Sequence, residues 1–259
     1  MNKLWIYTLY FYEYLKYGDW ISIFASIKYL TTRKSHRSDR LVKSSMGTFY
    51  CRRNTNDFQF ANLMYEWSVK DFIFKNLSDH TVFLDAGACI GDYDILLTKH
   101  NMKCYAFEPI PENYAVMIRN FELNGLGNRV TSFPFGLGDS NRSERFIFNP
   151  VNTGASHIDR IGEPESCFAE IRTLDSLMDE LPIEKEEKIL IKLDAEGMDP
   201  EAIKGAAAFI KKYPFITLIV EDKFTGKGPI QDALDSIGKF EYGKVDKYNM
   251  YARKVGDLP

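Results

Sequence analysis

The strongest local signal in the sequence is a short apolar run that leads into a glycine turn, Val82-Phe83-Leu84-Asp85-Ala86-Gly87-Ala88-Cys89-Ile90-Gly91. Residues 82–84 are typical of a buried strand, and Asp85 ends the apolar run. Gly87 and Gly91 permit a turn in which the backbone approaches a ligand closely, and a helix that begins directly behind the turn supplies amide donors. The stretch therefore predicts a strand, a ligand-binding turn that includes Ala88, and a helix.

The turn is not a dinucleotide fingerprint. That motif requires the spacing G-x-G-x-x-G, whereas three residues separate Gly87 from Gly91 here. A turn against an amino-acid moiety is favoured over a pyrophosphate cradle. On its own, the turn leaves open whether it binds a nucleotide-type ligand or is purely structural.

Outward from this turn, strand-like and helix-like segments alternate. Apolar strands are predicted at 81–86, 103–108, 130–137, 188–194 and 215–221, with helices at 90–100, 111–124, 174–181, 200–212 and 229–237. Such alternation predicts a parallel sheet with helices on both faces. Segments 240–245 and 250–254 then predict a terminal hairpin. The expected fold class is α/β: a Rossmann-like, doubly wound, mostly parallel seven-stranded sheet with a C-terminal antiparallel hairpin and an N-terminal helical extension.

Carboxylates stand at the ends of two further strands. Glu108 follows the second strand about 20 residues beyond the turn, where doubly wound folds bind a ribose by its hydroxyls. Asp194 and Glu196 follow the fourth strand and would reach the same edge of the sheet, and Lys192 would keep a neighbouring carboxylate ionised. The alternative is that these charges only end their strands in solvent.

Weaker candidates lie in or near the loops. His157 falls between the third and fourth strands, and its near-neutral pKa would suit a general base, although a single loop histidine is more often incidental. Glu221 and Asp222 end the fifth strand and are candidates for an acceptor pocket.

Composition limits the function classes. The net charge is −3, which argues against broad capture of nucleic acid. The four cysteines, Cys51, Cys89, Cys104 and Cys167, show no CxxC pair and predict free thiols in a reducing, cytoplasmic compartment. Because the four histidines are equally scattered, no metal site is predicted.

Residues 1–57 are predicted to form an aromatic-rich helical extension with a basic linker at 31–40, ahead of a main domain at 58–259 that opens with a helix at 58–77. Charges interrupt the aromatic stretch long before the ~20 apolar residues of a membrane span. Trp20, Ile23, Phe24 and Ile27 would share one helix face. We expect this face to pack on the main domain; docking to a membrane surface or a partner protein is the alternative.

Four motifs in order resemble the FkbM-type methyltransferases. They are the turn at 85–91, Phe107-Glu108-Pro109, Thr173-Leu174-Asp175, and Ile191-Lys192-Leu193-Asp194-Ala195-Glu196-Gly197 followed by Lys204-Gly205-Ala206. The resemblance covers residues 66–254. It departs from the family at Cys89, where the family commonly has Asn, so contacts from that amide are missing.

The resemblance implies a class I fold, S-adenosyl-L-methionine as methyl donor, and O-methylation of a small-molecule, sugar or natural-product acceptor. Carried over by position, Asp85, Gly87, Ala88 and Gly91 would meet the methionine end of the cofactor, and Glu108 the ribose. Asp139 would lie near the adenine, and Asp194 and Glu196 beside the transferring methyl group, with His157 as a further catalytic candidate.

Two other functions compete with this one. A nicotinamide-dependent oxidoreductase or epimerase would use a similar sheet, but the missing fingerprint spacing counts against it. A non-catalytic scaffold would keep the fold alone, and the retention of Asp194 and Glu196 argues for catalysis. Glycans or lipid-linked sugars are the expected acceptors by family analogy only.

Overall fold

A computed structural model of the chain describes residues 3–158 and 166–258. In this part of the chain, seven strands form one sheet, in which five central strands run parallel and a C-terminal hairpin adds two antiparallel strands at one edge. The predicted α/β class, the mostly parallel sheet and the terminal hairpin are confirmed.

The elements have the following bounds. The strands are β1 (Arg40–Lys43), β2 (Thr48–Cys51), β3 (Val82–Ala86), β4 (Lys103–Phe107), β5 (Val130–Phe133), β6 (Phe135–Leu137), β7 (Arg142–Ile147), β8 (His157–Ile158), β9 (Ser166–Arg172), β10 (Ile189–Leu193), β11 (Ile216–Glu221), β12 (Gly238–Lys244) and β13 (Asn249–Asp257). The helices are α1 (Lys3–Lys16), α2 (Trp20–Thr32), α3 (Asp57–Phe60), α4 (Trp67–Lys75), α5 (Asp92–Thr98), α6 (Pro111–Leu123), α7 (Asp199–Lys204), α8 (Ala207–Lys212) and α9 (Lys227–Asp235).

The strand order fixes where a ligand can bind. Across the large sheet the order is β12-β13-β11-β10-β3-β4-β5, so the chain extends the sheet in one direction from β3 and in the other direction from β10. β3 and β10 are neighbours and are buried along their whole length. Open α/β sheets bind ligands outside the carboxyl ends of the strands at this reversal point.

The segment predicted as a single third strand at 130–137 is two strands. Pro134 separates β5 from β6, because proline lacks the N–H that a ladder requires. β5 completes the large sheet, whereas β6 joins a second sheet of the order β6-β9-β7-β8 among the described residues. This second sheet was not predicted.

Three predicted helices are interrupted or tightened. The helix expected at 58–77 is the short α3 and the separate α4, and the one expected at 200–212 breaks after Lys204. The chain is closely packed at this break: a Cβ on Gly205 would lie 1.8 Å from the carbonyl oxygen of Gly138, so only glycine fits there. Residues 174–177 form a 3-10 turn instead of the helix predicted at 174–181.

The N-terminal region packs on the main domain with the side opposite to the one predicted. Trp20, Phe24 and Ile27 are 60%, 68% and 54% exposed, and the buried side of α2 consists of Ser22, Ala25, Ser26 and Tyr29. Small side chains allow the helix to approach the domain closely. Of the four residues expected to pack inward, the partly buried Ile23 does so, and the expectation is wrong for the other three. Among the described residues, no helix has both the length and the apolar composition that crossing a lipid bilayer requires.

One hydrophobic core cluster joins the N-terminal region to the large sheet. It contains Tyr14 and Phe49 from the N-terminal region together with Phe58 and Phe83. The hairpin of β1 and β2 is fixed to α6, since the backbone N–H of Tyr50 donates to Asn120 Oδ1 at 2.7 Å.

Candidate functional site

A two-part cleft opens at the carboxyl ends of β3, β4 and β10. One part, of about 520 Å³ including space open to solvent, is lined by Glu108, Ile110 and Leu137. The other, of about 650 Å³ on the same basis, is lined by Asp85, Lys192 and other charged side chains. Both parts share Gly87, Cys89, Gly154, Asp194 and Glu196. The cleft therefore has a mainly apolar half and a charged half that meet at the glycine turn.

Gly87 lies at the centre of the cleft in a conformation that side chains rarely adopt, with φ +93°. A Cβ there would lie 2.2 Å from the carbonyl oxygen of Asp194. The N–H groups of Gly87 and Ala88 both donate to the carbonyl oxygen of Phe107. The N–H of Asp194 donates to the carbonyl oxygen of Ala86. The turn is thereby joined to the ends of both neighbouring strands.

Glu108 connects the turn after β3 to the segment after β4. Its Oε2 accepts from the Cys89 N–H and its Oε1 from the Ile110 N–H, both at 2.8 Å. The side chain is 3% exposed, and burial raises its pKa to about 7 although both backbone bonds oppose the rise. A carboxylate has about four acceptor positions, so Glu108 can accept hydroxyl donors in addition to these two backbone N–H groups.

Asp85 is a buried carboxyl group that lines the charged half of the cleft. It is 1% exposed, and its Oδ1 has no hydrogen-bond partner among the described residues. Burial raises its pKa to about 7; Lys192 opposes this rise, and the carboxylates of Asp92 and Asp194 add to it. A buried acceptor of this kind fits a cationic donor such as an ammonium group.

The carboxylate predicted to lie beside Lys192 is that of Asp194, with 2.8 Å between Nζ and Oδ2. Burial opposes the charge of Lys192, but the carboxylates of Asp194, Glu66 and Asp85 raise its pKa well above the ordinary value. The ion pair keeps Asp194 in a fixed position at the mouth of the turn.

Three carboxylates converge beyond this pair. Asp194, Glu196 and Glu221 each bring one oxygen within 4.8 Å of the others. Burial and the neighbouring acids raise the pKa of Glu196 to about 8, and burial and Asp194 raise that of Glu221 to about 7. Carboxylate oxygens suit Mg²⁺, but Lys192 already occupies one oxygen of Asp194. Because the pKa values of Glu196 and Glu221 lie near 7 to 8, this cluster of carboxylates can bind and release a proton near neutral pH.

The charged half also contains residues that sequence reasoning missed. Tyr93 donates to Glu66 Oε2 at 2.9 Å, and burial raises the pKa of Glu66. Lys70, which is fully buried, pairs with Asp92 at 3.2 Å. Glu66 has a left-handed backbone (φ +50°) directly before α4, and no sequence pattern predicts such a turn.

The loop before β8 forms one wall of the cleft. Its Thr153 hydroxyl donates to Asp57 Oδ1 at 2.8 Å, and its N–H donates to Asn56 Oδ1 at 3.0 Å. Arg52 in turn pairs with Asp57 at 2.7 Å. Residues near the N-terminal region therefore hold Thr153 and Gly154 against the cleft.

Three sequence-predicted site residues lie outside both parts of the cleft. Gly91 is the N-cap of α5. A Cβ there would lie 2.5 Å from the Phe121 ring, so glycine is needed for the packing of Phe121 against this turn. Asp139 pairs with Arg142 at 2.6 Å and is partly exposed. His157 is exposed, with its Nδ1 3.2 Å from the carbonyl oxygen of Ala155. Asp85, Gly87, Ala88, Glu108, Asp194 and Glu196 all line the cleft.

Cys89 occupies the position in the turn where the family commonly has Asn. The residue has φ +49°, a left-handed conformation in which Asn is enriched and other side chains are uncommon. Its Sγ lies 3.8 Å from Thr153 Oγ1, and burial raises the pKa of the thiol well above its ordinary value. The turn thus keeps its shape with a neutral thiol in the position of an amide.

Comparison with known proteins identifies one family. A sequence model described as the methyltransferase FkbM domain matches residues 85–248, which is more than half of the chain. A curated relative, methyltransferase sdnD from Sordaria araneosa, is 27% identical over 177 residues, covering 56% of this chain and 68% of the relative.

Two solved structures are similar at low identity. A methyltransferase FkbM from Methylobacillus flagellatus KT is 18% identical, with a TM-score of 0.48, covering 68% of this chain and 44% of that one. A SAM-dependent O-methyltransferase from Thermotoga maritima is 12% identical, with a TM-score of 0.47, covering 85% of this chain and 79% of that one. The chain therefore spans less than half the length of the Methylobacillus protein.

Proposed function

Because this chain belongs to the family of FkbM-domain methyltransferases, we propose that it transfers the methyl group of S-adenosylmethionine to a hydroxyl group of a sugar, a lipid-linked sugar or a natural product. The observation that carries the proposal is the pair of acceptors at the two ends of the cleft. Glu108 would accept a diol in the apolar half, and the buried carboxyl group of Asp85 would attract a cation in the charged half.

The two halves fit the chemistry of this donor. Its ribose hydroxyls match Glu108, its adenine matches the apolar lining of Ile110 and Leu137, and its ammonium matches Asp85. Gly87 lies between these groups, where only a residue without a side chain leaves room. A donor in this position would have its reactive centre beside Asp194 and Glu196.

The chain's own residues would then position the acceptor and take its proton. S-adenosylmethionine supplies a methyl group on a sulfonium, which is already an activated leaving group. As the new C–O bond forms and the S–CH₃ bond breaks, the hydroxyl proton would pass to Glu221, whose pKa of about 7 leaves it about half ionised at neutral pH. Glu196, with a pKa of about 8, is mostly protonated at that pH and would donate a hydrogen bond. Asp194, held by Lys192, would orient the hydroxyl. Alignment of this kind contributes roughly 7 to 11 kcal/mol in favourable cases.

Calorimetric titration tests the donor. We expect one S-adenosylmethionine to bind per chain, with no heat from NAD or NADP, in buffers containing either EDTA or Mg²⁺. Transfer of a tritiated methyl group to a panel of sugars and lipid-linked sugars tests the acceptor, because a methyl ether survives mild alkali and a methyl ester does not. Absence of donor binding, or binding of NAD instead, would overturn the proposal; label that is lost in alkali would overturn the hydroxyl acceptor.

The affinity for S-adenosylmethionine should rise with pH from about 5.5 to 7.5. In the free protein the Asp85 pKa is about 7, and a bound ammonium would lower it, so the free protein binds more protons than the complex. Binding therefore releases protons, and the association constant should approach a tenfold gain per pH unit below that pKa.

Calorimetry in buffers of different ionisation enthalpy counts the released protons. Asp85→Asn serves as the control, since this side chain cannot titrate; its weaker binding should release about one proton fewer, which leaves only the pH dependence that Glu108, with its pKa of about 7, contributes. An equally steep pH dependence in this variant would assign the titration to another group.

A further inference from the structure

The exposed side of α1 and α2 is an unusual surface. It carries Trp5, Tyr12, Trp20, Phe24, Ile27 and Leu30, each more than half exposed, and is here named the N-terminal apolar face. Soluble monomers rarely expose large contiguous apolar patches, and those that do use them as binding surfaces. Indole and phenol rings are also the side chains enriched where a lipid bilayer meets water.

The opposite side of these helices is firmly attached to the domain. The Tyr14 hydroxyl donates to the carbonyl oxygen of Phe58 at 3.0 Å, and the Asn62 side chain donates to that of Tyr10 at 3.0 Å. Ser22 and Ser26 are buried in the contact. The apolar face is therefore a fixed outer surface of the folded chain.

The charge around the face is positive. Residues 1–43 contain eight Lys and Arg and three Asp and Glu, a net charge of +5 in a chain whose net charge is −3. Two of the three acids are buried: Glu13 accepts from the Ser45 N–H, and Asp19 pairs with Arg40. The third, Asp39, is exposed and accepts from the Tyr50 hydroxyl. Lys16, Arg33, Lys34 and Arg37 remain exposed. An anionic surface complements this arrangement.

We propose that the N-terminal apolar face docks the protein onto an anionic phospholipid bilayer, with α1 and α2 lying along the surface. Helices of 14 and 13 residues with one apolar side and a basic rim have the character of interfacial helices. A symmetric dimer through the same face would instead bring two sets of like charges together. An anionic bilayer matches both features of the surface: the acyl chains match the apolar side chains, and the negative headgroups match the basic rim.

The helices that carry the apolar face pack on a segment that reaches the cleft. The Tyr14 hydroxyl contacts the Phe58 backbone, and Phe60, on the same short helix α3, lines the charged half of the cleft. The other side of the same helices would face the bilayer.

Co-sedimentation with vesicles tests the proposal. The full chain should pellet with phosphatidylcholine vesicles that contain phosphatidylglycerol and much less with phosphatidylcholine alone, and 0.5 M NaCl should release it. Phe24→Ser should lower the partition coefficient on the order of tenfold, and Arg33→Ala and Lys34→Ala about fivefold each. Phe168→Ser, which changes an exposed phenylalanine on β9, should have no effect.

Thermal unfolding shows whether each variant is folded, and light scattering shows whether the chain is a monomer or a dimer. Phe24 is exposed, so Phe24→Ser should unfold at the temperature of the parent chain. Absent or equal binding to both vesicles, or binding that Phe24→Ser leaves unchanged, would overturn the proposal. A dimer that Phe24→Ser dissociates, without vesicle binding, would overturn it in favour of an interface between two copies.

Discussion

Glu108→Ala is expected to weaken the binding of S-adenosylmethionine about a hundredfold or more. The variant removes the carboxylate that would accept two ribose hydroxyls, and hydrogen bonds to a charged group contribute about 1.5 to 3 kcal/mol each. It also frees the Cys89 and Ile110 N–H groups, which hold the turn against the end of β4. Calorimetry measures the affinity, and circular dichroism measures whether the fold is retained.

Two comparisons separate the loss of a ligand contact from a loss of structure. Glu108→Gln keeps the shape of the side chain and one acceptor, so its affinity should lie between those of Glu108→Ala and the parent chain. Asp139→Ala should leave the affinity nearly unchanged, because Asp139 lies outside the cleft and pairs with Arg142. If Asp139→Ala weakens binding as much as Glu108→Ala, the adenine end of the donor lies elsewhere.

Gly87→Ala is expected to destabilise the fold and to abolish donor binding together. The new Cβ would lie 2.2 Å from the Asp194 carbonyl oxygen, and the backbone has φ +93°. Relief of this clash would separate the ends of β3 and β10 and move Asp194. We expect a destabilisation of about 3 kcal/mol, which lowers the melting temperature on the order of 5 to 10 °C.

A second glycine separates the steric clash from the backbone strain. Gly125 has a similar left-handed backbone, φ +68°, but no atom lies within 4 Å of a Cβ built there. Gly125→Ala should therefore cost only the strain, about 1 kcal/mol, and leave donor binding intact. Equal stability and equal donor affinity in the two variants would show that the close approach at Gly87 is unimportant.

Short-range patterns predicted the large sheet well. β3 and β10 each begin with three apolar residues, and a glycine or an acid directly follows each strand, so their burial and the edge at which they end follow from the sequence itself. The approach of Asp85, Glu108 and Asp194 follows from parallel pairing. A carboxylate partner for Lys192 was predicted, and the structure identifies it as Asp194.

Features that depend on tertiary packing were not predicted. The second sheet pairs β6 with β9 across about 30 residues of intervening chain, and Pro134 gives no sign of which sheet each half joins. The hydrophobic face of α2 predicted inward packing, yet Ser22 and Ala25 form the contact. Glu66 enters the cleft through a left-handed turn, and Lys70 lies behind the cleft in a buried ion pair with Asp92. No local pattern encodes either feature.

The shared core has a consequence for engineering chimaeras. Tyr14 and Phe49 are packed in the same cluster as Phe58 and Phe83, although the family match begins only at residue 85. The N-terminal region is thus not an independent folding unit, because it shares its core with the rest of the domain. A graft from another relative must bring compatible partners for these aromatic rings, or it will leave a void beneath the strand that supports the glycine turn.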